Sequence, residues 1–481
     1  MQPPQFSLPV LRVVLSKRQP RRIGAVFTCQ EDDSMLQRIQ PAKKLPALPI
    51  AEAAYPAPFA PGLEYSPAAR GTWNIVHTGM LLPESHQIYI CAAGCLRGVV
   101  LTAAEMGDAY RRRFSALELR EDDLYRTDHE TFLIEGITDI LRRLPRLPRA
   151  VLVFTACVHH FLGCNLRYVY QTLRERFPSV AFAECVMDPI RQTKSLTPEE
   201  RERREIYRLL PSDREKNRHL VNLIGSNLAL TAKSDIKELV HACGRELLDL
   251  TECHSYDDFL RMGEASGNLY TNPFTHVAAR DLLRRLGQDA LFLPQVWRYE
   301  EICDALTQLA AFLGGSCPDL RPRIATCELA LNALHGQIGA QPIAIDFTFT
   351  FLPMSLARLL ISHGFHVTEI YADAIAREDE ANFRWLQHHA PDILLYPTKH
   401  PAMRRKPRAQ ADGAPPLLAL GQKAAYFTGT RYFLPAVEGG GHYGLEAISW
   451  LAAAMSRAAL LPQDTEQIIR RKGWGGPSCL S

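Results

Sequence analysis

No stretch of the 481 residues approaches the roughly 18 to 20 consecutive apolar positions that a membrane span needs, so no bilayer crossing is expected. A secretory apolar core followed by a small-residue cleavage site is also missing near the N-terminus, which points to the cytoplasm. Charge of one sign is scarce: 55 Lys and Arg against 52 Asp and Glu leave +3, too little for a general field toward nucleic acid or acidic membrane. The phosphate-cradling pattern GxxxxGK[ST] does not occur, so ATP hydrolysis by this chain itself is not expected. Nor is there a CxxC pair, which argues against a zinc ribbon. The remainder is ordinary for a soluble globular chain, with 47% hydrophobic, 9% aromatic and 22% charged residues and about three domains' worth of length.

Proline dominates the first 70 residues and sustained periodicity is weak there, so residues 1–74 read as a flexible or surface-wrapping extension. Its cluster Arg12, Lys17, Arg18, Arg21 and Arg22 suggests a transit peptide only faintly, and a plain tail is preferred. From about residue 87, apolar strand-like runs alternate with helical patterns, the signature of right-handed βαβ units on parallel sheets. The expected fold class is α/β, with three Rossmann-like doubly wound domains at 75–215, 216–335 and 336–481 around a central cleft. Strands are expected at 87–90, 150–155 and 179–184 in the first block, with a helix at 166–177. A helix at 196–210 opens on Thr197, Pro198, Glu199 and Glu200, an N-cap, a first-turn proline and acids on the positive end of the dipole. The last block is expected to close with a strand at 424–427 and a helix at 444–460. The basic loop 399–408 reads as a solvated run.

Chemistry concentrates in the cysteines. Twelve thiols without an export signal are expected to be free thiols or metal ligands, with Cys29 and Cys479 near the ends. Cys91 and Cys95 follow a strand and precede a helical pattern, so both are expected in the first turn of a helix on one face, where positive potential favours thiolate. Cys157 ends another strand and Cys164 falls near the next helix, so two strand-to-helix junctions offer two thiols each at the carboxyl edge of a sheet. His159 and His160 lie in the second loop as reserve ligands or proton donors. An iron-sulfur cluster held from separated loops suits this spacing. Cysteine is also among the residues most often buried, so a core role for these thiols stays open. The run 439–444 satisfies GxGxxG but lacks a strong preceding strand and reads as a tight turn onto the last helix. Glu84, Ser85 and His86 form no recognisable triad and read as loop or interface residues.

At Ile88-Tyr-Ile-Cys-Ala-Ala-Gly-Cys95, Val153-Phe-Thr-Ala-Cys157, Phe161-Leu-Gly163, Gly225-Ser-Asn227 and Gly441-His-Tyr-Gly444, the chain resembles the nitrogenase component 1 superfamily over roughly residues 75 to 460. The resemblance implies an iron-sulfur cluster between two homologous subunits and electrons from an ATP-dependent iron protein. It places Cys95 at the family's Gly-Cys ligand and Cys157 at its strand-end ligand. The family's earliest ligand would fall near 68–71, where no cysteine stands, and Cys91 and Cys164 are extra thiols that could replace it. A [4Fe-4S] cluster on Cys91, Cys95, Cys157 and Cys164 is therefore implied, with Cys185 structural. Asn272 stands where a cofactor cysteine is found in nitrogenase, and 431–434 holds no histidine for the cofactor-histidine position. His442 matches a different family histidine. These departures argue against nitrogen fixation and against a molybdenum-iron cofactor in the usual site. The implied function is a nitrogenase-like oxidoreductase subunit acting on an unnamed substrate, with His159, His160 and His442 as candidate proton donors and a homologous subunit and the iron protein as partners. A metallocluster-assembly scaffold and a metal-free α/β binding protein are the alternatives.

Overall fold

The computed structural model describes residues 45–60, 62, 64, 74–125, 128–188, 196–408 and 416–464. The basic cluster from Arg12 to Arg22, Cys29, Cys479 and positions 68–71 lie outside them. Fourteen strands are assigned among the described residues. They are β1 (Leu48–Pro49), β2 (Ser85–Cys91), β3 (Phe114–Glu118), β4 (Ala150–Ala156), β5 (Ala181–Met187), β6 (Leu220–Leu223), β7 (Glu246–Asp249), β8 (Gly267–Tyr270), β9 (Asp289–Phe292), β10 (Ile343–Asp346), β11 (Val367–Tyr371), β12 (Leu394–Tyr396), β13 (Leu418–Leu420) and β14 (Tyr432–Leu434).

The first sheet runs β3-β2-β4-β5 and all its pairs are parallel. Strands β2 and β4 are buried at every position, as expected of parallel strands covered on both faces. Ile88, Ile90, Val151 and Val153 pack with the helices His129–Arg143 and Leu166–Arg176 on one face. Their neighbours Tyr89, Cys91, Leu152 and Phe154 point to the other, where the Tyr89 and Phe154 rings stack at 4.2 Å. Each such side chain contributes about 1.5–3 kcal/mol by leaving water. The helix Pro198–Arg208 covers this second face, and its start is set as its residues demand. Thr197 Oγ1 accepts the Glu200 N–H at 3.2 Å, and the Glu200 carboxylate accepts the Thr197 N–H at 2.9 Å.

The second sheet, β7-β6-β8-β9, repeats the strand order of the first. Both share one core, in which Phe154 and Cys185 cluster with Ile224, Phe259, Tyr270 and Leu282. The third sheet runs β1-β12-β11-β10-β13-β14; its five later strands are parallel and β1 joins the edge antiparallel to β12. Helices Arg321–Ile338 and Leu445–Leu460 seal it against the second sheet in another shared core. The α/β class with parallel sheets is thus as the alternation of strands and helices requires.

Three expectations are corrected. Residues 424–427 are not a strand but lie inside the helix Gln422–Thr428, while the closing strands β13 and β14 flank it. The cause is long-range: the buried Asp346 carboxylate, at the end of β10, accepts the Ala424 N–H at 2.6 Å and anchors the helix start, where an acceptor is favoured. Ser85 and His86 are not loop residues; they begin β2, with Ser85 Oγ donating to the Leu82 carbonyl at 2.7 Å. Burial, then Arg113, depresses His86 to about 4, and its Nε2 lies 2.8 Å from Ser115 Oγ. Lys406, in the supposedly solvated basic loop, packs over the Tyr396 ring at 4.9 Å and pairs with Glu369 at 3.8 Å.

Candidate functional site

In the first sheet β2 leads outward to β3, and the chain then crosses back to β4 and β5, so the strand order reverses between β2 and β4. Open α/β sheets take ligands at the carboxyl ends of strands flanking such a reversal. Ile90 pairs with Thr155 there, so the two strands end side by side. Cys91 is the last residue of β2, Cys95 the third of the helix Ala93–Glu105, and Cys157 the first of the helix Cys157–Phe161. Cys91 is 0% exposed, Cys157 half-buried and Cys95 exposed.

The placement of Cys91 corrects the expectation that it shares a helical face with Cys95. The strand runs on through Cys91, so its side chain follows the two-residue alternation of β2 into the core beside Tyr89. Burial, and then the neighbouring Cys95 and Cys157, push its thiol up to about 12. A bound metal ion reverses that preference, because a coordinated thiol is deprotonated outright.

Cys164 is separate. It packs on the opposite face of the sheet, and burial together with Glu130 pushes it to about 12. Among the described residues no three His, Cys, Asp or Glu side chains converge into a set that would hold a metal ion. Cys91, Cys95 and Cys157 are of the donor type that an iron-sulfur cluster takes. His159 is held by the backbone: its Nδ1 lies 3.1 Å from the Ala156 nitrogen and 3.2 Å from the Ala156 carbonyl oxygen, and burial favours the neutral ring.

A second concentration of polar groups lies between the second and third sheets. Ser226, Asn227, Asn272, Gln295, Glu438 and His442 line a cavity of about 30 Å³, room for one or two water-sized groups. Ser226 Oγ and Asn272 Nδ2 are buried there without a hydrogen-bond partner among the described residues. Asn227 Nδ2 donates to both Glu438 carboxylate oxygens, at 2.9 and 3.1 Å, while Arg203 donates to Asn227 Oδ1 at 2.9 Å. Burial raises Glu438 to about 7, with Arg203 opposing. His442 Nδ1 lies 2.7 Å from Glu446, and its ring stacks on Trp450 at 4.1 Å. Hydroxyl and amide donors with an engaged imidazole do not fit a metallocofactor ligated by thiolate and histidine.

The glycines at 439–444 explain themselves here. Gly441 has φ +82 and Gly444 φ +78; a Cβ on the first would overlap the Ala229 carbonyl oxygen and on the second the Asp235 carboxylate. They let the third block's last loop reach the second block's backbone. Ser226, Gln295 and Glu438 were missed as site residues, although Ser226 and Glu438 adjoin or lie within segments singled out from the sequence.

A family model described as Nitrogenase component 1 type Oxidoreductase matches residues 84–432. No curated protein matches the chain. Among solved structures, one described as "Nitrogenase Cp1 at pH 6.5" is similar with a TM-score of 0.61 at 11% identity, covering 84% of this chain and 94% of that one. Another, "Nitrogenase Cp1 at pH 5", is similar with a TM-score of 0.53 at 12% identity, over 84% and 90% of the two chains. At such identities the likeness is one of fold.

Proposed function

The chain belongs to the nitrogenase component 1 type oxidoreductase family, and from that premise we propose that it is the electron-accepting subunit of a nitrogenase-like reductase. In this reading Cys91, Cys95 and Cys157 supply one side of a [4Fe-4S] cluster and a homologous subunit supplies the rest. The observation that carries it is the delivery of three thiols by two separate strand-to-helix junctions to the point where the sheet order reverses. Cys164, engaged with Glu130 across the sheet, is left out of the ligand set.

The surface beside these thiols supports a subunit interface. Phe161 is 71% exposed and Tyr168 52%, and they lie on the two helices that follow Cys157. Exposed aromatic groups around a reactive edge suit a protein partner, since interface centres are enriched in them. The cluster, when bound, supplies one-electron storage at a potential set by hydrogen bonds and burial around its sulfurs. The chain's own residues shape the site: Cys91 anchors one side from within the core, and Cys95 and Cys157 present donors outward. With no phosphate loop in this chain, nucleotide hydrolysis falls to a separate ATP-dependent iron protein.

The test is anaerobic expression of the full chain with its homologous partner, followed by iron and acid-labile sulfide analysis and reduced-state electron paramagnetic resonance. About four irons per cluster, lost in Cys95→Ala, is the expected result. A folded, iron-free complex would overturn the reading, and a cluster released intact to an apo-acceptor protein would turn it toward an assembly scaffold.

A further inference from the structure

We infer that the cleft between the second and third sheets is closed to any cofactor and holds ordered water instead, about two molecules bound by Asn272 and Ser226 beside Glu438. The cavity measures about 30 Å³. A water needs about 10–15 Å³ on that measure, whereas ligand pockets run to roughly 300–1,000 Å³, so neither a metallocluster nor an organic group finds room. The walls are pinned by backbone hydrogen bonds. The Thr231 N–H donates to the Gly441 carbonyl at 2.9 Å, joining the two blocks, and the Glu438 and Gly439 N–H groups donate to the Thr348 and Phe349 carbonyls at 2.9 and 2.7 Å.

The polar groups on the wall say what the occupant must do. Asn272 is 2% exposed, and because its Oδ1 accepts the Phe274 N–H at 2.9 Å, the other end of the amide, Nδ2, is fixed as a donor. Among the described residues that Nδ2 finds no acceptor, and the buried Ser226 Oγ finds no partner of either kind. Their neighbours are already engaged. Asn227 takes Arg203 and Thr78 on Oδ1 and gives Nδ2 to the Glu438 carboxylate, so its orientation is fixed as well. Gln295 donates to the His442 carbonyl at 3.0 Å, and His442 Nδ1 faces Glu446 at 2.7 Å. An occupant must accept from Asn272, which a cation does not do. An anion would stand beside Glu438 with no lysine or arginine on the lining. Water accepts and donates at once, and it relieves the unmade bonds of buried donors. No thiolate lines the cavity, and Asn272 stands where nitrogenase has a cofactor cysteine, so donor chemistry and size exclude a metallocofactor together. None of Cys91, Cys95 and Cys157 lines it either, so the inference is independent of the proposed cluster.

A crystal structure of the full chain, at a resolution that shows ordered water, tests the occupant. Water within hydrogen-bonding distance of Asn272 Nδ2 and Ser226 Oγ is expected; a dry cavity, or density for a metal or an organic group, would overturn the inference. Urea unfolding of Ser226→Ala tests it in solution through the sign of the change. A hydroxyl bonded to water stabilises, so its removal should lower the folded-to-unfolded ratio about fivefold. Removing an unpaired hydroxyl instead leaves that ratio unchanged or raises it, and either result counts against bound water. The absence of a cofactor is read by metal analysis of the anaerobic complex with its homologous partner, expressed with iron and molybdate. Asn272→Leu should carry the same metals as wild type, and Ser226→Ala serves if the first variant does not fold, since Asn272 also holds the Phe274 N–H. Molybdenum in the wild type, or iron lost from either cleft variant, would overturn the inference. An iron-free wild type would overturn the cluster reading while upholding this one.

Discussion

The carboxyl edge of the first sheet and the cleft between the second and third are built on opposite plans. At the edge the backbone is regular: two strands end, two helices begin, and the chemistry is carried by side chains partly open to solvent. In the cleft the backbone is irregular, with Gly439, Gly440, Gly441 and Gly444 all at positive φ and Glu438 also left-handed at φ 49. Its polar groups are bound to one another across blocks, from Glu199 through Arg203 and Asn227 to Glu438. The contrast teaches that the first region can lose a side chain and keep its shape, whereas the second holds its shape only through particular residues.

Gly441→Val should produce the largest effect, because it forces a β-branched side chain to positive φ against the Ala229 carbonyl. A loss of about 3 kcal/mol or more in urea unfolding is expected; a stable variant would break the contrast. Next come the thiols. Cys91→Ala, at a fully buried position, should cost about 1–3 kcal/mol as well as iron. Cys95→Ser, at an exposed one, should cost iron with stability within about 0.5 kcal/mol. Cys164→Ser should leave iron unchanged, and iron loss there would return Cys164 to the ligand set.

A smaller effect follows from Glu438, whose folded pKa of about 7 lies above the ordinary carboxyl value. The folded state then holds a proton that the unfolded state has released, so the contribution of Glu438 to stability is full below pH about 4.5 and is lost as pH rises toward 7. The limiting slope is about 1.4 kcal/mol per pH unit for one proton. Asp249 and Asp379 are also raised to about 7, so the comparison to make is wild type against Glu438→Gln, which should flatten part of that decline in pH-dependent urea unfolding. Equal slopes would remove Glu438 from the account. The least visible change is Phe161→Ser, with folding unaltered within about 0.5 kcal/mol and partner affinity reduced about tenfold in sedimentation experiments.

How legible each region was depends on how local its causes are. The fully apolar run at 150–155 and the Thr197-Pro198-Glu199-Glu200 start declare themselves, because burial on both faces and an N-terminal cap are written within one turn or strand. Cys91 was misplaced because the handover from strand to helix falls between it and Cys95, and the surrounding Ala and Gly residues fit either periodicity. The segment 424–427 misled for a different reason: its apolar residues suit a strand, and the carboxylate that makes it a helix comes from Asp346, seventy-eight positions earlier. The cleft was hardest to read, since Ser226, Asn272 and Glu438 are ordinary polar residues until three remote loops meet.

By itself the sequence determined the α/β class, the parallel strands and the thiols at two junctions, because these follow from short-range periodicity and capping. Only the tertiary structure decided that Cys91 faces the core and that Cys164 lies across the sheet from it. It likewise decided that Asn227 and Glu438 meet. Those outcomes depend on which faces pack together and which loops arrive at one edge, and such encounters are set by contacts far apart along the chain.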